Sequence, residues 1–186
     1  MVSPPAWPLC VLAVSGSLRK GSTNTAALEA LALIAPPDIR VTIYRDLAAL
    51  PPFNPDDDAE GAAPPAAVAA FRALVGASDA LVIAAPEYAH GVAGALKNAL
   101  DWLVASETFP GKPVVLINAA PRAFHAQAQL REILSTMAAR LLPEAFVSLP
   151  LTGRLASAES LAADPACARR LADSLDALAA ALRPGR

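Results

Sequence analysis

The stretch Leu9-Cys-Val-Leu-Ala-Val-Ser-Gly-Ser-Leu-Arg-Lys-Gly-Ser-Thr-Asn24 decides the fold. Leu9 to Val14 runs without a polar break, and Ser15-Gly16-Ser17 then supplies turn chemistry. A short run that is apolar throughout suits a central parallel strand covered on both faces. Helical spacing follows at once. Asn24 to Ala35 sets Leu28, Leu31 and Ala35 on one stripe, and Pro36-Pro37 stops it. A buried strand handed directly to an amphipathic helix is the opening of a strand–helix–strand unit.

Working outward, the same alternation recurs. Val41 to Tyr44 reads as a second strand, followed by a long loop through Leu50-Pro-Pro-Phe-Asn-Pro55 and the acidic Asp56-Asp-Asp58. Val68, Phe71 and Val75 mark a second helix, and Ala80 to Ala84 a third strand ended by Pro86. Leu96, Leu100 and Leu103 at i, i+4, i+7 mark a third helix, and Pro113 to Ile117 a fourth strand. Leu130, Ile133, Leu134 and Met137 define a fourth helix, and Ala145 to Leu149 a fifth strand. Ser160 to Leu182, with Leu171, Leu175, Leu178 and Leu182, reads as one closing helix. Five strands alternating with five helices predict an α/β fold, a parallel sheet with helices on both faces. No internal repeat or low-complexity linker divides it, so one domain over 1–186 is expected. Ligands of such sheets bind beyond the carboxyl ends of the strands, at the switch point. The segments after strands one, three and four are therefore the ones to read for chemistry.

Composition narrows the function classes. The chain has 186 residues, 55% of them hydrophobic, with a net charge of −2. That excludes intrinsic disorder, and a chain this long buries roughly 70% of its unfolded surface. Fifteen basic against seventeen acidic residues leave no basic excess for nucleic acid. Cys10 and Cys167 are too few for a disulfide scaffold, and His90 and His125 sit near no cysteine, which argues against structural zinc. Cys10 is expected to be buried in its strand rather than reactive. Pro4 to Val14 mimics a signal peptide, but no Lys or Arg precedes it and Pro4, Pro5 and Pro8 interrupt it. No apolar stretch reaches the ~20 residues a membrane span needs. A soluble, cytoplasmic protein is expected.

After strand one, Ser15 to Asn24 sets small residues and hydroxyls before a helix N-terminus. Free backbone N–H groups and the positive end of the dipole favour an anion there. Ser17, Ser22, Thr23 and Asn24 can add hydrogen bonds and Arg19 a forked charged contact, so phosphate is the natural guest. Two competing motifs fail. Gly16 and Gly21 have the spacing of a nucleotide-hydrolysing P-loop, but Ser22 stands where its lysine belongs. Leu18 replaces the second glycine of a dinucleotide fingerprint. After strand three, Pro86-Glu-Tyr-Ala-His-Gly91 offers Tyr88 and His90 as flat faces for a planar ligand. Gly91 and Gly94 permit close backbone approach. Lys97, Asn98, Asp101 and Trp102, on the helix that follows, read equally as packing or interface residues.

Together these segments resemble the NADPH-dependent FMN reductase family, flavodoxin-like reductases of quinones, azo dyes and chromate. Gly16 to Asn24 is similar to that family's phosphate loop, close to G-S-L-R-x-x-S-x-N. Pro86-Glu87-Tyr88 and Gly94-Ala-Leu-Lys-Asn-Ala-Leu-Asp-Trp102 match its second signature. Asp46-Leu47, Leu50 to Asn54 and Gly111-Lys-Pro113 also look like the family's, so the resemblance runs from about Cys10 to Leu149. It implies a flavodoxin-like three-layer sandwich with a five-stranded parallel sheet ordered 2-1-3-4-5. It further implies FMN held by Ser15, Ser17, Leu18, Arg19, Ser22, Thr23 and Asn24 at the phosphate. Pro86, Glu87, Tyr88, Ala89, His90 and Gly91 would serve the ring, with Ala120 and Arg122 from the loop after strand four. The chain departs from the pattern at three places. Ala89 stands where relatives usually have Asn, Ala93 replaces a common proline, and Asn118-Ala-Ala-Pro-Arg-Ala123 lacks the usual serine and glycine pair.

The resemblance implies ping-pong hydride exchange from NADPH or NADH through FMN to a quinone or similar small oxidant. No catalytic acid–base pair is expected, because the flavin carries the chemistry. It also implies a homodimer or homotetramer, with Asp56 to Asp58 and the helix ending at Trp102 as contact surfaces. Arg122 is placed at the mouth of the site, where a guanidinium suits a phosphate of incoming NADPH. Two other readings stay open from the residues. One is an FMN-binding electron-carrier flavodoxin, although such carriers are usually strongly acidic and this chain is not. The other is a flavin-free interaction module.

Overall fold

The computed structural model describes residues 8–59, 61, 63–120, 124–151 and 156–183. Within them the chain runs β1 (Leu9–Ser15), α1 (Thr23–Ile34), β2 (Ile39–Tyr44), α2 (Ala66–Ala77), β3 (Ala80–Ala84), β4 (Glu87–Tyr88), β5 (Gly91–Val92) and α3 (Gly94–Asp101). It continues with β6 (Pro113–Asn118), α4 (Phe124–Thr136), β7 (Arg140–Leu141), β8 (Val147–Ser148), α5 (Ala158–Ala163) and α6 (Pro165–Leu182). The main sheet is ordered β2-β1-β3-β6 and then β7, with β8 also paired to β6, and every pairing in it is parallel. The expected order 2-1-3-4-5 and the doubly covered parallel sheet are both present.

The central strands read as continuous apolar runs because their successive side chains enter two different cores. Val11 and Ala13 face one cluster together with α1 and α6, while Leu12 and Val14 face another with α2, α3 and α4. Val82 and Ile117 belong to the first, Ile83 and Leu116 to the second. This is the period of 2 of an extended chain, seen in a sheet with no wet face.

Three expectations need correction. The fifth strand is not a continuous run from Ala145 to Leu149. That edge is split into β7 and β8 by a 3-10 turn over Pro143–Ala145. Pro143 interrupts it, since proline has no N–H for a ladder. The closing helix is two. Asp164 ends α5 and caps α6, its carboxylate accepting from the N–H groups of Ala166 (3.0 Å) and Cys167 (2.8 Å), with Pro165 in the first helical position. Cys10 is only half-buried, and its sulfur accepts a hydrogen bond from Arg40 Nη2 at 3.0 Å. Of the packing and interface readings of Trp102, full burial of the residue supports packing.

The Asp164 cap yields a pH prediction. Backbone hydrogen bonding from Cys167 is the largest cause holding its carboxyl below the ordinary 3.8. A lowered value means stability that is present above about pH 4 and is lost as pH falls through the folded value. Asp164→Ala should therefore lower the Tm at neutral pH, with the gap to the parent narrowing in acid below pH 4. Thermal melts across that range check it, and a gap independent of pH would refute the cap.

Candidate functional site

All loops that follow the carboxyl ends of β1, β3 and β6 emerge on one side of the sheet, because the strands are parallel and adjacent. The chain turns to opposite sides after β1 and β3, so the crevice at their ends is the switch point.

The loop after β1 is built by its own hydroxyls. Gly16 N–H donates to Ala84 O at 2.8 Å, extending the β1–β3 ladder by one residue. Gly16 is buried where a Cβ would lie 3.0 Å from Leu96 Cδ2 and 3.2 Å from Leu96 Cβ, so a side chain there would crowd α3. Ser15 is buried and its hydroxyl bonds Thr25 Oγ1 at 2.8 Å, while accepting from Ser17 N–H at 3.3 Å. Ser17 Oγ in turn accepts from Arg19 N–H at 3.3 Å. Gly21 takes the left-handed turn at φ 70°, and Ser22 caps α1 by accepting from Thr25 N–H at 3.5 Å.

The predicted phosphate ligands therefore divide. Ser15 and Ser22 serve mainly to shape the loop, while Leu18 (57% exposed) and the exposed Arg19 stand open. Ser15, Ser17, Leu18, Arg19 and Ser22 border one cavity of about 650 Å³, whereas Thr23 and Asn24 do not line it. Asn24 is buried and its Oδ1 has no partner among the described residues. A buried acceptor left alone is costly. Sequence reasoning missed Lys20, exposed in the same loop, and Arg45 and Glu159, brought to the cavity from β2 and from the start of α5. Lys20 was legible as a second basic residue in a phosphate loop. Arg45 and Glu159 carry no local signal, because only the tertiary fold brings them in.

The segment after β3 is a small antiparallel hairpin that periodicity did not predict, with Glu87 opposite Val92 and Tyr88 opposite Gly91. Its two tip residues, Ala89 (φ 49°) and His90 (φ 58°), are both left-handed. For non-glycine residues that costs about 1–2 kcal/mol each, so the surroundings must hold them. They do so through α4. Glu87 Oε2 accepts from Ala126 N–H at 2.9 Å, Gln129 Oε1 accepts from Val92 N–H at 3.3 Å, and Gln129 Nε2 donates to His90 O at 3.2 Å. The His90 ring stacks on His125 with centroids 4.2 Å apart. Glu87 is thus a structural clamp at the start of α4. Tyr88 is 57% exposed, so its ring is available to a ligand rather than part of the core. Pro86 and Gly91 are half-buried at the ends of this turn. Ala120 is half-buried and donates its N–H to Asn118 Oδ1 at 3.0 Å; Arg122 lies outside the described residues.

The second half of the same motif is scaffold. Asn98 Oδ1 accepts from Phe53 N–H at 2.7 Å, and Asn98 Nδ2 donates to Pro51 O at 2.9 Å. Trp102 Nε1 donates to Pro51 O at 2.8 Å, and Lys97 pairs with Asp101 at 2.6 Å. Asp58, part of the acidic loop, is held bidentate by Arg72 at 2.8 and 2.6 Å. Among the described residues no group of three metal-ligating side chains occurs, and no helix is long and apolar enough to cross a membrane.

Comparison with known proteins agrees with this geometry. The family model for NADPH-dependent FMN reductase matches residues 9–152. An NAD(P)H-dependent FMN reductase of Pseudomonas aeruginosa is 41% identical over 129 residues, 67% of this chain and 68% of that protein. A quinone reductase of Escherichia coli is 38% identical over 110 residues, 58% of either chain, so the match spans little more than half of that relative. Among solved structures, the flavoenzyme NAD(P)H:(acceptor) oxidoreductase FerB of Paracoccus denitrificans superposes with a TM-score of 0.69 at 28% identity, covering 94% of each chain.

Proposed function

The chain belongs to the NADPH-dependent FMN reductase family, and on that footing we propose that it binds FMN at the ends of β1, β3 and β6. There it passes reducing equivalents from NADPH or NADH to a quinone or similar small oxidant. When bound, the flavin supplies the two-electron redox chemistry. The observation that carries the reading is the loop of Ser15 to Ser22, which sets Ser17, Arg19, Lys20 and Ser22 around one cavity just ahead of α1. That donor set fits a phosphate monoester.

The chain's own residues have three tasks in this reading. The β1–α1 loop anchors the phosphate. The clamped hairpin holds Pro86 to Gly91 as a rigid rim, with Tyr88 exposed as a flat wall. Buried Ala84 and Ala85, at the end of β3, keep the floor of the crevice apolar. Arg122 is proposed to meet a phosphate of NADPH, as the sequence suggested. We also propose a single cytoplasmic domain over 1–186 acting as a homodimer or homotetramer, which light scattering on the pure protein would test.

The function is tested by adding NADPH without air to protein loaded with FMN. Loss of flavin absorbance supports the reductase; a spectrum unchanged by NADPH and NADH would make it an electron carrier. The anchor is tested separately. Arg19→Ala should raise the FMN dissociation constant about tenfold to a hundredfold, the equivalent of ~1.5–3 kcal/mol for a charged hydrogen bond. Flavin fluorescence titration reads it, and an unchanged constant would remove Arg19 from the site.

A further inference from the structure

The cavity that borders the phosphate loop does not run toward the proposed ring site. None of Pro86 to Gly91 lines it, nor does Asn118 or Ala120. It extends the other way, past the end of β2 at Ile43 to Arg45, across Ala48, to Ala156 and Glu159. In the order β2-β1-β3-β6 the phosphate loop is central, so the cavity lies on the β2 side and the ring loops on the β3–β6 side. Its volume of about 650 Å³ lies within the ~300–1,000 Å³ of ordinary ligand sites. A phosphate group occupies a corner of such a space.

The lining has a chemistry of its own. Arg45 and Lys20 present two cations near the loop, Arg45 being held by Glu29 at 2.9 Å on the surface. Ile43, Ala48 and Ala156 provide small apolar surfaces that a flat base can cover. Glu159 stands on the far wall, and a carboxylate is the natural acceptor for ribose hydroxyls. Two cations, one of them braced by Glu29, a flat apolar strip and the Glu159 carboxylate opposite together suit a nucleoside monophosphate joined to the phosphate seated in the loop.

We propose that this cavity is a nucleotide-extension site, so that the chain accepts FAD as well as FMN. The β1–α1 loop would take the flavin-side phosphate and the cavity the adenosine monophosphate half. The inference rests on the FMN reading of the loop, and the two separate in the test. FMN and FAD are titrated by fluorescence against the parent chain and against Ala48→Trp, which fills the cavity from an exposed position remote from the ring loops. FAD is expected to bind the parent within about tenfold of FMN. In the variant its dissociation constant should rise about tenfold or more, while that of FMN stays within about twofold. FMN binding with FAD about a hundredfold weaker would overturn the extension site and leave the FMN reading standing. A variant that weakens both flavins alike, or neither, would also overturn it. Loss of binding of both flavins to the parent chain overturns both readings.

Discussion

Trp102→Ala is expected to lower the stability of the chain by about 3–5 kcal/mol, the range for emptying a buried tryptophan site. For a protein of this size that is a fall in Tm of roughly 6–20 °C. The reason lies in how much one residue joins. Its ring is fully buried among α2, α3 and the strand face of Leu81 and Ile83. It meets Phe53 edge-on at 5.0 Å, and its N–H reaches Pro51 O, which Asn98 also contacts. Its carbonyl accepts from Arg72 Nε at 2.8 Å, the same arginine that grips Asp58. Alanine would remove the ring from the core and free the long loop after β2 together. Trp102→Phe separates the two effects. It keeps most of the bulk and loses the N–H, whose acceptor retains Asn98, so it should cost only about 1 kcal/mol. Thermal melts decide it; a drop of under about 3 °C for the alanine variant would mean that the loop is held elsewhere.

That result would also explain why a motif that looks like a binding signature is only half one. Pro86 to Gly91 shapes the rim of the site, whereas Asn98 and Trp102 fasten the segment Pro51 to Phe53. Spacing alone could not divide them, because both halves sit in one uninterrupted run. The main sheet was legible for a simple reason. A strand buried on both faces is apolar at every position, and β1, β3 and β6 announce themselves that way. The sheet's far edge was legible only in part, through the run that holds β8. There β7 and β8 are two residues each, too short for any period, and the pairing is dictated by β6. The break at Asp164-Pro165 was legible, as a capping residue before a proline, but the leucine periodicity across it hid the stop.

The hairpin after β3 was hidden differently. A two-residue turn with both residues left-handed normally declares itself by Asn-Gly or Asp-Gly. Here the tip is Ala89-His90, residues that resist that conformation, and the strain is held by Gln129 and by the His90–His125 stack. Local sequence opposes the turn and tertiary contacts impose it. Strained residues of this kind collect at ligand sites, and the departure of Ala89 from its relatives therefore does not dismantle the rim.

Riboflavin is expected to bind at least a hundredfold more weakly than FMN. The two ligands differ only in the terminal phosphate, so the comparison isolates the loop after β1. Two charged hydrogen bonds at ~1.5–3 kcal/mol each already amount to at least ~3 kcal/mol, a factor of more than a hundred. Arg19, Lys20 and the Ser17 hydroxyl are available to make them. The loop is fixed in advance by Gly16 against Leu96 and by the Ser15–Thr25 bond, so little ordering is left to oppose binding. Two controls sharpen the comparison. Raising the salt concentration should weaken FMN and leave riboflavin almost unchanged, since only the former meets exposed cations. Arg19→Ala should narrow the gap between the ligands by lowering FMN affinity alone. Parallel fluorescence titrations measure all of these. Equal dissociation constants for FMN and riboflavin would show that the loop holds no phosphate, and the hydroxyls of Ser15, Ser17 and Ser22 would then serve only to build the turn and cap α1.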